Sequence, residues 1–177
     1  MSISIVIDLF MLVLVTSAGV QDLLQRRIAN RLVGVFLLLA LALHLAAGGF
    51  AAAWSYWFCG AATGMALFLP LYMLRGMAGG DVKLMAGVGA FAGPASALEI
   101  ALATFCIGGV MALVIVLARG RVRDLLTNLL ALLRPLYLRV AGMATAAEPL
   151  PAASVGNMPY GLAIALGTLL MLSLRQA

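Results

Sequence analysis

The chain of 177 residues carries six carboxylic side chains, Asp8, Asp22, Asp81, Glu99, Asp124 and Glu148. Two of them have the setting that proton-transfer chemistry requires. Asp22 closes a long apolar run and Asp81 opens another, so each carboxyl stands at the end of a hydrophobic segment. Two carboxyls brought together cannot both ionise easily, and one proton is then shared. The ionised member can take a proton from water while the neutral member polarises a carbonyl. Hydrolysis of a peptide bond by that route uses no metal and no nucleophilic side chain. The same residues also have structural readings. Asp81 follows Gly79–Gly80 and precedes an apolar stretch, the setting of a helix N-cap. Asp22 stands four residues before Arg26, the spacing of an ion pair along one helix face. An acid in the last turn of a helix opposes the helix dipole, which weighs against a purely local role for Asp22.

Other chemistries lack their parts. His44 is the only histidine and falls in the middle of an apolar segment, where a packed, hydrogen-bonded ring is the expected role. Ser17, Ser55, Ser96 and Ser173 lie near segment ends, at the wrong depth to pair with it. The ligand types for a metal site are too few. Cys59 and Cys106 both sit in apolar runs without metal-like spacing, as small buried residues do. Gly76–Gly80 lacks the spacing of a phosphate-binding loop.

The elements that must position the two aspartates are membrane helices. Hydrophobic residues make up 65% of the chain and charged residues 10%, against about half and about a quarter in a soluble domain. Mean hydropathy is +1.16. Too little polar surface remains to cover a water-soluble globule, so the expectation is an all-α, polytopic transmembrane bundle forming one domain over residues 1–177. Crossing the hydrocarbon core takes roughly 20 apolar residues in a helix. Ile3–Val20, Leu32–Gly48, Ala51–Leu74, Ala95–Ala118 and Met158–Leu174 qualify or nearly so. The first has no Lys or Arg before it and reads as a retained helix rather than a cleaved signal.

The stretch from Val82 to Ala92 is short, yet charge placement makes it a sixth membrane segment. With a hairpin at Gly93–Pro94, ten of the eleven basic residues fall on one side, leaving only Arg175 opposite. Basic loops mark the cytoplasmic side, so both termini are expected outside and both Asp22 and Asp81 at the cytoplasmic ends of their helices. The net charge of +5 is then a topology signal and not a nucleic-acid footprint. Residues 120–141 read as an amphipathic helix on the cytoplasmic face. Val122, Leu125, Leu126, Leu129, Leu130 and Leu133 form its apolar stripe, Pro135 interrupts it, and residues 144–157 follow as a loop. Asp124 and Glu148 belong to this solvated region. Asp8 and Glu99 belong to the outer ends of their helices, where they snorkel or pair.

Three stretches carry a family resemblance. Gly76-Met-Ala-Gly-Gly-Asp81-Val-Lys83 resembles the glycine–aspartate signature of the type IV prepilin peptidases, within the wider G-x-G-D intramembrane aspartic peptidases. Asp22-Leu-Leu-Gln-Arg26-Arg-Ile28-Ala-Asn30 resembles the D-x-x-x-R-x-I-P-N motif of that family, and Pro159-Tyr-Gly-Leu-Ala-Ile resembles its P-Y-G-x-A-I segment. The three come in the family's order across nearly the whole chain. Two positions depart from the pattern, Ala78 for the first glycine of G-x-G-D and Ala29 for the proline. The short length and the missing cysteine module resemble the small peptidases of Flp/Tad-type pilus systems.

The resemblance implies that Asp22 and Asp81 are the catalytic pair. It implies that Gly79 and Gly80 allow close approach of the substrate backbone, that Lys83 orients Asp81 or steers the substrate, and that Arg26 and Asn30 set the helix end and loop. Tyr160 and Gly161 would line the groove. The implied substrate is a prepilin, a leader ending in Gly followed by an apolar helix. It would be cut at the cytoplasmic face of a bacterial inner membrane, with no cofactor, no metal and no nucleic-acid partner. The lipid bilayer is the other partner; the oligomeric state is left open. Two further readings compete. A non-enzymatic assembly subunit of a pilus or secretion system would use the basic helix 120–141 for docking. A proton-coupled transporter would use the aspartates as a relay, but the chain has no internal repeat to support one.

Overall fold

A computed structural model describes residues 3–74, 76–127, 130 and 158–176. Among these residues every regular element is helical. The main elements are α1 (Ile3–Gln25), α2 (Asn30–Ala52), a wide π-type stretch (Ala53–Phe58) leading into α3 (Cys59–Met73), α4 (Gly79–Ala92), α5 (Pro94–Ala118) and α6 (Tyr160–Gln176). The chain divides into two compact units, Met1–Gly108 with Pro159–Ala177, and Gly109–Met158. The first holds everything that concerns the two aspartates.

Three helical stretches, Ile3–Gln25, Asn30–Met73 and Pro94–Ala118, are long and apolar enough to cross a membrane. The 44-residue middle stretch is a hairpin of two passes. It breaks at Gly48 and Gly49, where Gly49 takes φ 66, a conformation open to glycine at no steric cost. Beyond the break the chain returns along itself. His44 stacks on Tyr56 with ring centroids 5.4 Å apart, and the Trp57 indole N–H donates to the Leu37 carbonyl at 2.8 Å. The hairpin expected at Gly93–Pro94 is present too. Gly93 takes φ 80 after α4, and Pro94 opens α5, the usual placing of glycine past a helix end and proline at a helix start.

α4 explains how 14 residues serve as a membrane segment. At 1.5 Å per residue it spans only about 21 Å, too short to face lipid across a bilayer. It does not need to. From Asp81 to Phe91 every residue but Lys83 is buried, so α4 is the core around which the longer helices stand. Lys83 is exposed. The outer helices carry the lipid-facing residues, among them Val35, Leu38 and Leu102, each more than half exposed.

Small residues bring α3 onto α4. Gly60 and Gly64 form a G-x-x-x-G step on α3. A Cβ on Gly60 would run into the Gly89 carbonyl, one on Gly89 into the Gly60 carbonyl, and one on Gly64 into the Met85 carbonyl. Apolar burial between helices gains little inside lipid, so close backbone packing of this kind supplies the association.

The second unit contains the end of α5, a turn at Gly120 with φ 64, and helix over residues 122–127. There Arg121 pairs with Asp124 at 2.6 Å. Val122, Leu126 and Leu130 of the expected stripe are exposed. Most of the expected amphipathic helix beyond residue 127, and the loop 144–157, lie outside the described residues.

Candidate active site

The first turn of α4 shapes the position of Asp81. The helix starts at Gly79, so Asp81 is its third residue rather than its cap. Ala78 is the cap, in an extended conformation with φ −81 and ψ 151. The Asp81 carboxylate reaches back and accepts the Ala78 N–H at Oδ2, 3.2 Å, while the Asp81 N–H donates to the Ala78 carbonyl at 3.1 Å. A carboxylate in this first turn also suits the helix dipole. Ala78 stands in an ordinary extended conformation that does not require glycine.

Asp22 lies in the last turn of α1. Its Oδ2 accepts the N–H of Gly161, the second residue of α6, at 2.7 Å. The bond satisfies an amide that a helix start leaves without an intrahelical partner. It also depends on glycine. A Cβ on Gly161 would stand 2.9 Å from the Asp22 Cβ and 3.0 Å from its Oδ2. α1 ends just beyond, at Arg26, which takes φ 54 and donates its N–H to the Asp22 carbonyl at 3.0 Å.

Asp22 and Asp81, 59 positions apart in sequence, stand near enough on α1 and α4 for one carboxylate to act on the other. Asp22 is 8% exposed and Asp81 5%, and the charge of Asp22 acts on Asp81. Tyr160 lies within reach of the Asp81 charge and packs edge-on against Phe68. Each carboxylate is anchored through one oxygen by a backbone amide.

The other expected site residues fall around this centre in different ways. A Cβ on Gly79 would press the Tyr72 ring at 3.3 Å, and one on Gly80 would meet Ile28 at an ordinary 3.5 Å. The Lys83 ammonium donates to the Asn30 side chain at 3.1 Å. Two residues along a helix turn it about 200° away from Asp81. Lys83 and Asn30 line instead a cleft of about 620 Å³ with Val33, Gly34, Trp57 and Met65. Ala29 takes φ −67 and ψ 124, a φ that proline's ring would hold, and its N–H, which proline lacks, donates to the Gln21 side chain at 3.1 Å.

Sequence reasoning missed Tyr72, Phe68 and Gln21, which lie against Gly79, Tyr160 and the Ala29 amide in the α1–α2 turn. Their only signal is aromatic or amide character near a helix end, which is too common to read. His44 behaves as expected, buried and bonded through Nε2 to the Ala90 carbonyl at 3.1 Å. Among the described residues no group of three or more His, Cys, Asp or Glu is placed to hold a metal ion.

Fold and site together define an all-α integral membrane protein with a buried polar centre where three helix ends meet. Residues 9–113 match the type IV leader peptidase family, more than half of the chain, and the chain belongs to that family. It is accordingly a peptidase of the prepilin leader peptidase type, and prepilin-type proteins and a membrane are its implied surroundings. A search of curated proteins and one of solved structures each returned no match.

Proposed function

We propose that the protein is an intramembrane aspartic endopeptidase that removes the leader peptide of a prepilin, with Asp22 and Asp81 as the catalytic pair. The observation that carries this reading is the convergence of two buried carboxylates, from α1 and α4, in a chain of a leader peptidase family. One carboxyl holds the shared proton and polarises the scissile carbonyl. The other takes a proton from the attacking water. As the tetrahedral intermediate collapses, a proton passes to the leaving amine, and the pair returns to its single-proton state. The amides of Gly161 and Ala78 hold the two side chains in place before substrate arrives, so little reorganisation is needed in the reaction.

The basic loops supply the orientation. Arg26, Arg27 and Arg31 follow the Asp22 end of α1, and the positive-inside rule supports a cytoplasmic position for the pair. At that end of α4, Gly79 and Gly80 pack against Tyr72 and Ile28, so their role is to seat the helix start that carries Asp81 and not to open a path for the peptide.

Cleavage of a co-expressed prepilin by wild type, Asp22→Asn and Asp81→Asn tests the reading, scored as a mobility shift with membrane insertion checked. Both variants are expected to insert and to leave the prepilin uncut. Processing that survives in either variant overturns the aspartic mechanism and turns attention to an assembly role.

A further inference from the structure

The end of the molecule away from the aspartates holds a second polar cluster that the peptidase reading does not use. Arg175, near the end of α6, donates to the Glu99 carboxylate on α5 at 3.0 Å and contacts the Ser96 hydroxyl on the same helix. It also lines a cavity of about 400 Å³ with Asp8 of α1, His44 of α2, Tyr56 and Phe91, and its charge acts on Asp8. Of the eleven basic residues it is the one that charge counting leaves on the far side of the membrane.

The position of Arg175 along α6 matches that of Asp8 along α1. Fourteen residues separate Asp8 from Asp22, and fourteen separate Gly161 from Arg175, a rise of about 21 Å on each helix. α1 and α6 are antiparallel. The Gly161 N–H meets Asp22 at one end, Gly19 faces Ala165 one turn further along, and Asp8 and Arg175 share a cavity at the other. Between these contacts the buried residues include the apolar Met11, Leu14 and Val15 on α1 and Leu172 on α6, and none of them fixes the axial position by a polar bond between the two helices. A one-residue slip would move α6 by about 1.5 Å and take the Gly161 amide off the Asp22 carboxylate.

We infer that Arg175, held by Glu99 and Ser96 and facing Asp8, is a positioning residue that sets the axial register of α6 on α1 and so delivers the Gly161 amide to Asp22. The inference rests on the peptidase reading for its effect on rate, but the register itself can be measured without cleavage. Arg175 touches no reacting group. It acts through α6, and Asp8 and Glu99 act through Arg175.

The test combines turnover with cross-linking in the full-length protein in membranes. Gly19→Cys and Ala165→Cys are introduced together after Cys59→Ser and Cys106→Ser. A Cβ on Gly19 would lie 3.2 Å from that of Ala165, close to the separation that a disulfide spans, about 3.5–4.5 Å. With Arg175 in place the pair is expected to cross-link readily on mild oxidation. Arg175→Ala is expected to slow cross-linking severalfold. In the native-cysteine protein it is expected to lower kcat about tenfold or more, the scale of a small misplacement, with KM changed less than about twofold and normal insertion. Arg175→Lys, which keeps the charge, should recover most of the rate.

Unchanged cross-linking in Arg175→Ala overturns the inference, whatever the rate does, because the register would not depend on Arg175. Slowed cross-linking with unchanged kcat overturns it too, since the register would not matter to the reaction. Failure to cross-link with Arg175 present removes the register on which it stands. A wild type that cuts no prepilin sinks the peptidase reading, while the cross-linking still reports whether Arg175 holds α6.

Discussion

The N–H of Gly161 reaches the Oδ2 of Asp22 at 2.7 Å, across 139 residues of chain. That bond ties the start of the last helix to the end of the first, and it makes the third sequence motif part of the same centre as the first. Gly161→Ala is therefore expected to cost more than a missing or added methyl usually does. The new Cβ would displace either α6 or the carboxylate. Prepilin cleavage should fall by about tenfold or more, and a thermal melt of the detergent-solubilised protein should shift only modestly. Cleavage at the wild-type rate would show that the amide contact is dispensable.

Gly60 and Gly64 seat α3 on α4, which carries Asp81. Gly60→Leu would drive a side chain into the Gly89 backbone. Neither helix can yield without opening the core, so the expected outcome is loss of folded protein rather than a slower enzyme. Overpacking of a tight contact costs about 1–3 kcal/mol or more. Protease resistance in membranes, compared with a lipid-facing control such as Val35→Leu, reads the difference.

Ala29→Pro restores the residue of the family's I-P-N motif. The backbone angles already suit proline, and the cost is the loss of the N–H donated to Gln21. Stiffening of the unfolded chain contributes about 0.4–1 kcal/mol in favour, and the lost bond about 0.5–1.5 kcal/mol against. The expected net change in stability is within about 1 kcal/mol, and cleavage is retained. Ala78→Gly should likewise leave cleavage intact. A large loss in either variant would show that these positions contact the substrate.

His44 is buried, bonded to the Ala90 carbonyl and stacked on Tyr56, at the end of the molecule away from Asp22 and Asp81. His44→Phe keeps the stacking and removes the bond. A stability loss of about 1–3 kcal/mol follows from the unpaired carbonyl, with kcat and the shape of the pH–rate profile unchanged. A missing limb in that profile would make His44 part of the proton chemistry after all.

The membrane segments and their hairpins were readable because composition enforces them. A charge inside hydrocarbon is expensive, so charged residues mark helix ends and apolar runs mark the spans. Gly48–Gly49 and Gly93–Pro94 were readable as turns for the same local reason. The aspartates were readable because an acid beside a long apolar run asks for an account. The partners were not. Lys83 stands two residues from Asp81 in the chain, yet its amine is bonded to Asn30. Asp8 and Glu99 had no partner in any local pattern, and Arg175 joins the cluster from the far end of the sequence.

The sequence by itself determined that this is a membrane protein of several helices, and it marked two carboxyls that stand at the ends of apolar runs. Each of these follows from the cost of placing polar groups in lipid, which acts segment by segment. Tertiary structure alone decided that the short α4 is the buried centre, that Gly60 and Gly64 lie against it, and that the Asp22 carboxylate accepts the Gly161 amide. Those outcomes depend on how closely two backbones approach and at what axial register. Such a choice is made between surfaces distant in the chain, where a single missing Cβ changes which helices can touch.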